Sequence, residues 1–142
     1  MQRARCAQFS KEKPVRWLYL VGRILFALIF ITAAPRHFTY EGIQHAADLG
    51  VPLASVMVPI SGLMAIAGGL SVATGYKAKS GAWLLVAFLL PVTFMMHGFW
   101  RLHGAEQIHV QQAMFAKNLS MLGAALLLTQ FGAGPMSFDQ KS

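Results

Sequence analysis

Five histidines sit at or just beyond the ends of apolar stretches: His37, His45, His97, His103 and His109. Arg36, Arg101, Lys117 and Asn118 fall in the same neighbourhoods. Imidazole and ammonium groups of this kind can hydrogen-bond a quinone carbonyl or shuttle protons near neutral pH. They can also bind an anion such as a sulfur oxyanion. His97 and Arg101 are four residues apart and share one helix face. His97 is set among Phe94, Met95, Met96, Phe99 and Trp100, soft surroundings for a flat ring and equally for a plain core. Two histidines can ligate a haem, but no CxxCH motif is present and nothing fixes their separation. A histidine metal site lacks both HExxH spacing and carboxylates within the apolar stretches. For His45, His103 and His109, polar decoration of an interface accounts equally well for the residue type.

Arg23 lies inside an apolar run, about two turns from its start. A charge there costs a few kcal/mol unless it snorkels to the headgroups or finds partners. No Asp or Glu shares any of the apolar stretches. The partners left are carbonyls, a ligand, lipid phosphate or another subunit.

The elements that must position these groups are four apolar stretches, at about 17–38, 53–75, 81–100 and 117–134. Each is long enough to cross a hydrocarbon core of about 30 Å as a helix. Apolar residues make up 56% of the 142, charged residues only 12%, and the mean hydropathy is +0.51, against about 25% charged in a soluble domain. A soluble bundle would need a polar stripe on each helix, which Val51–Tyr76 does not offer. A β-barrel would alternate with period two, which Leu84–Leu90 does not do. The expected fold is therefore all-α, an integral membrane four-helix bundle. Residues 17–134 form its one domain, with a basic tail at 1–16 and a C-terminal tail at 135–142. The location expected is a membrane crossed several times, with lipid as the surrounding partner.

The net charge of +7 does not point to nucleic acid, because of where the charges lie. Eight basic residues (Arg3, Arg5, Lys11, Lys13, Arg16, Lys77, Lys79 and Lys141) fall on one side of the stretches. Only Arg36, Arg101 and Lys117 fall on the other. The positive-inside rule then places both termini in the cytoplasm, and the histidine-bearing links 39–52 and 101–116 outside. Aromatic residues mark both interfaces, Trp17, Tyr19, Tyr76 and Trp83 inside, Phe38, Tyr40, Trp100 and Phe115 outside. The single Cys6 excludes an internal disulfide, a CxxC redox pair and an iron–sulfur cluster held by this chain alone.

Ser61, Ala65, Gly69 and Ala73 form a small-residue stripe where another helix can approach closely, within this chain or across an oligomer. Pro59 and Pro91 each remove a backbone donor and are expected to kink their helices. Gly42–Leu49 puts Ile43, Ala46 and Ala47 on one side, as a short amphipathic helix on the outer surface would. Arg101–Met114 is expected to do the same, less clearly.

The chain resembles the DoxX family of small four-helix membrane proteins. The resemblance rests on Gly22-Arg23-Ile24-Leu25, His37-Phe38, Gly50-Val51-Pro52, Gly68-Gly69, Gly75, Pro91, His97 with Phe99-Trp100, and Phe115-Ala116-Lys117-Asn118-Leu119. Ala33-Ala34-Pro35 departs from it, where a glycine is expected. The resemblance implies a bacterial inner membrane and kinship with DoxD-type subunits of thiosulfate:quinone oxidoreductase. It also singles out Arg23, His37, His97, Lys117 and Asn118.

Together these readings give His97 and Lys117 as candidate catalytic residues. Arg23, His37, Arg101 and Asn118 are the candidate ligand-binding residues, and no metal ligand is assigned. The expected function is a small membrane subunit of a redox complex that binds quinone or helps deliver electrons to the quinone pool. The chain has no recognisable redox centre, so a bound cofactor or partner must supply the electrons. The alternatives are a non-catalytic assembly subunit, working with other membrane subunits or as a homo-oligomer, and a small-solute carrier.

Overall fold

The computed structural model of this protein describes residues 15–141. The basic tail and Cys6 lie outside the described residues, apart from Val15 and Arg16. Among the described residues five α-helices follow one another: α1 (Arg16–Ala33), α2 (Tyr40–Asp48), α3 (Ala54–Thr74), α4 (Ala78–Met96) and α5 (Ala105–Phe131). Short 3-10 turns occupy Ala34–Phe38, Phe99–Arg101 and Phe138–Lys141. The fold is all-α. Arg16–Phe38, Ala54–Thr74 and Ala78–Arg101 are long and apolar enough to cross a membrane.

Pro35 decides how α1 ends. It has no N–H to continue the α-helical ladder, so the chain tightens into the 3-10 turn that carries His37. Neither internal proline breaks its helix: α3 runs through Pro59 and α4 through Pro91. Thr39 begins α2, its hydroxyl accepting from the N–H of Gly42 at 3.1 Å, a standard N-cap. Ala46 is buried and Ile43 packs on Ala54 and Val58, whereas Ala47 is exposed.

The outer link before the last helix departs from expectation. Residues 105–116 are not a separate surface helix but the first three turns of α5, which spans 27 residues, about 40 Å. Between Gly104 and Gly123 there is neither glycine nor proline, and Glu106, Gln107, Gln111 and Gln112 are good helix formers. Hydropathy registers the apolar segment and misses the polar start of the same helix.

Helices in lipid gain nothing from hiding apolar surface from water, so close backbone approach and dispersion must hold them together. α3 supplies this on two faces. A Cβ on Gly69 would lie 3.1 Å from the Ile31 side chain and 3.4 Å from the carbonyl of Ala27, so this face takes α1. A Cβ on Gly68 would lie 2.8 Å from Leu85 and 2.9 Å from the carbonyl of Gly81, so the next face takes α4. Ala65 is buried on the same stripe. The small-residue stripe is therefore used within the chain. Phe30, Ala65, Leu85, Phe88, Leu89, Leu122 and Ala125 from α1, α3, α4 and α5 form one core. Leu25, Leu63, Trp83, Leu127 and Phe131 point outward and are more than half exposed, which suits lipid and would be a liability in water.

After α5 the chain turns back and closes one end of the bundle. Gly132 and Gly134 take positive φ (72° and 68°), a turn that favours glycine. The Asp139 carboxylate then accepts from the N–H groups of Lys77 (2.7 Å) and Ala78 (3.0 Å), capping α4. That capping helps hold Lys77 in its left-handed conformation, φ 48°.

Candidate functional site

At the opposite end of the bundle, four helices leave a cavity of about 150 Å³. Its apolar wall is built by Ile29, Phe30 and Ala33 of α1, Ala65 of α3, and Phe88, Leu89 and Val92 of α4. Its polar groups are His37, His97, Lys117 and Asn118, with Met121 beside them. Residues from the turn after α1, the end of α4 and the middle of α5 thus meet in one place.

His37 arrives on the 3-10 turn that Pro35 starts. That turn presses against α3 where Gly62 leaves room, since a Cβ there would come within 2.7 Å of the His37 Cβ. The approach brings Nδ1 of His37 to 2.8 Å from the hydroxyl of Ser61. The ring stands 5.7 Å from that of Phe88, tilted by 54°. His97 ends α4, and its Nδ1 lies 2.8 Å from Oε1 of Gln111 on α5. The turn beyond it is fixed by edge-to-face aromatic contacts. Phe94, Phe99 and Trp100 each meet Phe115 of α5, with ring centroids 5.5, 5.6 and 5.9 Å apart. Such pairs contribute about 0.5–1.5 kcal/mol each beyond the area they bury.

Lys117 is exposed at the cavity rim, with Nζ 3.4 Å from the sulfur of Met114 and no acidic partner among the described residues. Asn118 is the deepest polar group, 4% exposed. Its amide has no hydrogen-bond partner among the described residues, and both its nitrogen and its oxygen stay accessible where the side chain lines the cavity. Buried polar side chains in folded proteins are nearly always satisfied, so this one needs an explanation.

Two candidates lie elsewhere. Arg23 is 4% exposed, near the other end of α1, roughly 20 Å along the chain axis from His37. Its guanidinium donates to the carbonyls of Ala133 (2.6 Å), Met136 (2.8 Å) and Pro135 (3.5 Å). It clamps the returning C-terminal segment and does not line the histidine cavity. Carbonyl groups take its two terminal nitrogens, while Nε is buried without a partner among the described residues. Arg101 is exposed and donates to the Leu49 carbonyl at 3.3 Å, tying the outer turns together; it does not line the cavity. His45, His103 and His109 are exposed and do not line it either.

Ser61 and Gln111 hold the two imidazoles and were not singled out as site residues. Ser61 was visible only as part of the packing stripe. Gln111 and Asn118 are seven residues apart, the same face of one helix, a signal hidden while residues 101–116 were read as a separate link.

Residues 4–142 match the SURF4 family. The chain belongs to the SURF4 family. It is 29% identical over 143 residues to the Inner membrane protein YphA of Escherichia coli (strain K12), covering 99% of this chain and 100% of that one. No solved structure shows a significant match. This SURF4-family chain, with helices able to cross a bilayer and a relative of equal length named for that location, is a multi-pass inner-membrane protein.

The resemblance to the DoxX family is overturned by that match. The short pieces that carried it report helix packing rather than kinship. Gly68 and Gly69 are contact points of α3, and Gly50 and Gly75 sit at φ 86° and 71°, where a side chain is strained. Any bundle of this shape selects such residues. Kinship with thiosulfate:quinone oxidoreductase subunits falls with it, and a role at the cavity must rest on the cavity.

Proposed function

We propose that this SURF4-family protein is a membrane-embedded binding subunit whose cavity takes the ring of a quinone-type ligand. The amide of Asn118, deep in the bundle, open to the cavity and without a protein partner among the described residues, is the observation that carries this reading. A cavity of about 150 Å³ matches a single six-membered ring, since an engineered cavity of that size holds benzene. The wall of Phe30, Phe88, Leu89 and Val92 suits the ring faces, and His37, His97, Lys117 and Asn118 suit its oxygens. A lipid-soluble ligand reaches such a site from the bilayer. His97 is the proton carrier or hydrogen-bond partner, and Lys117 and Asn118 orient an oxygen. Electrons come from a partner subunit or a second ligand.

The topology that fits is four crossings with both termini in the cytoplasm. Eight basic residues against three support the orientation. α5 packs along α4, so a bilayer crossed by α4 is crossed by the apolar part of α5 as well. The cavity then opens in the outer half of the membrane, away from the Arg23 clasp.

The test is native purification in mild detergent followed by solvent extraction and chromatography. The reading expects a benzoquinone or naphthoquinone in near-stoichiometric amount, and its loss from a protein carrying His37→Ala and His97→Ala together at normal membrane abundance. Equal quinone content in both preparations counts against it.

A further inference from the structure

Resting on the quinone reading, the hydrogen bonds behind the two imidazoles also say which redox form of the ring fits. A serine hydroxyl has one proton, and that of Ser61 goes to the Val58 carbonyl at 2.7 Å. Its oxygen, 2.8 Å from Nδ1 of His37, therefore accepts, and Nδ1 carries the hydrogen. In the neutral ring Nε2 is left as a lone pair. His97 is set the same way, because the Oε1 of Gln111 at 2.8 Å from its Nδ1 can only accept. Both imidazoles line the cavity, and the nitrogen each has left for a ligand is an acceptor, while Lys117 and Asn118 offer donors.

A quinone has carbonyl acceptors only. It can meet the Lys117 ammonium and the Asn118 NH₂, but it leaves both Nε2 atoms without a hydrogen. The two hydroxyls of a quinol each donate and accept, so a quinol can satisfy both sets. An unpaired acceptor in a desolvated site weakens binding about tenfold or more. We propose that the cavity is selective for the reduced ring, binding quinol in preference to quinone, and that Ser61 and Gln111 are the positioning residues that impose the preference. The protein then takes up quinol from the membrane, and the reaction class that supplies it is a quinone-reducing one.

The protein in phosphatidylcholine nanodiscs, titrated without oxygen with a short-tailed benzoquinone and with its quinol, tests this. The quinol is expected to bind at least about tenfold more tightly. Ser61→Ala lets His37 move its proton to Nε2, so the affinity ratio falls toward one; Ser61→Thr keeps the hydroxyl and the ratio. The ratio compares two ligands on one protein, so a loss of folded protein leaves it unmoved. Equal affinities, or tighter quinone, overturn the selectivity and leave the quinone reading standing. Binding of neither form overturns both. A ratio unchanged in Ser61→Ala overturns the role given to Ser61.

Discussion

Nδ1 of His97 and Oε1 of Gln111 lie 2.8 Å apart across the α4–α5 corner, and Asn118 faces the same cavity two turns further along α5. One helix face thus holds one imidazole in place and supplies the amide beside it. Gln111→Ala removes the hold without touching the cavity wall. We expect a several-fold loss of ring-ligand affinity, the effect of one hydrogen bond of about 0.5–1.5 kcal/mol, with thermal stability changed by less than about 1 kcal/mol. Ligand titration beside a melting curve in detergent checks both halves.

Arg23 should behave in the opposite way. Arg23→Met removes the donors to the carbonyls of Ala133, Met136 and Pro135, leaving the buried Ala133 carbonyl and its part-buried neighbours without them. The expected destabilisation is about 2–4 kcal/mol, seen as a lower Tm, with ring-ligand affinity retained in the protein that remains folded. A binding defect without a stability defect would place Arg23 in the ligand site after all.

Two glycine substitutions separate close packing from mere helix chemistry. Gly62→Ala puts a methyl group 2.7 Å from the His37 Cβ and 3.0 Å from the Phe38 ring, so it should cost about 1–3 kcal/mol and weaken the ligand by moving His37. Gly123→Ala meets nothing within 4 Å and should be neutral or stabilise by up to about 1 kcal/mol. Paired thermal melts decide it; similar losses in both variants would remove the case for a tight α3–His37 contact.

The four-crossing, N-in topology is open to cysteine labelling. In a Cys6→Ser background, Lys79→Cys should react with a membrane-impermeant maleimide only in inverted vesicles, and His103→Cys only in intact spheroplasts. Labelling of both from the same side would contradict four crossings.

Much of this was legible in the sequence, for physical reasons that also mark where legibility stopped. The spans were readable because lipid tolerates few charges, so α1, α3 and α4 announce themselves by hydropathy. α5 was readable only in its apolar part: its first three turns are polar and carry helix propensity rather than hydropathy. His37, His97, Lys117 and Asn118 could be proposed together because each follows or opens an apolar stretch at the same end, and they do line one cavity. Their supports, Ser61 and Gln111, are ordinary residues whose importance comes from a tertiary distance that no spacing encodes. Arg23 shows the limit from the other side. Its burial in an apolar run was plain, but its partners are carbonyls 110 or more residues away, brought back by a turn after α5. Glycines at contacts and turns look alike in small membrane bundles, so they do not tell one family from another.

Asn118→Leu tests the central claim most directly. The side chains are close in size, so the change replaces an amide that meets only the cavity with an apolar group. If the amide is kept for a ligand, the variant should be as stable as the parent, or more stable by about 1 kcal/mol, and should bind the reduced ring at least about tenfold more weakly. Parent-like affinity, measured by titration in nanodiscs alongside a Tm, would show that the cavity does not bind its ligand through Asn118 and would contradict the account.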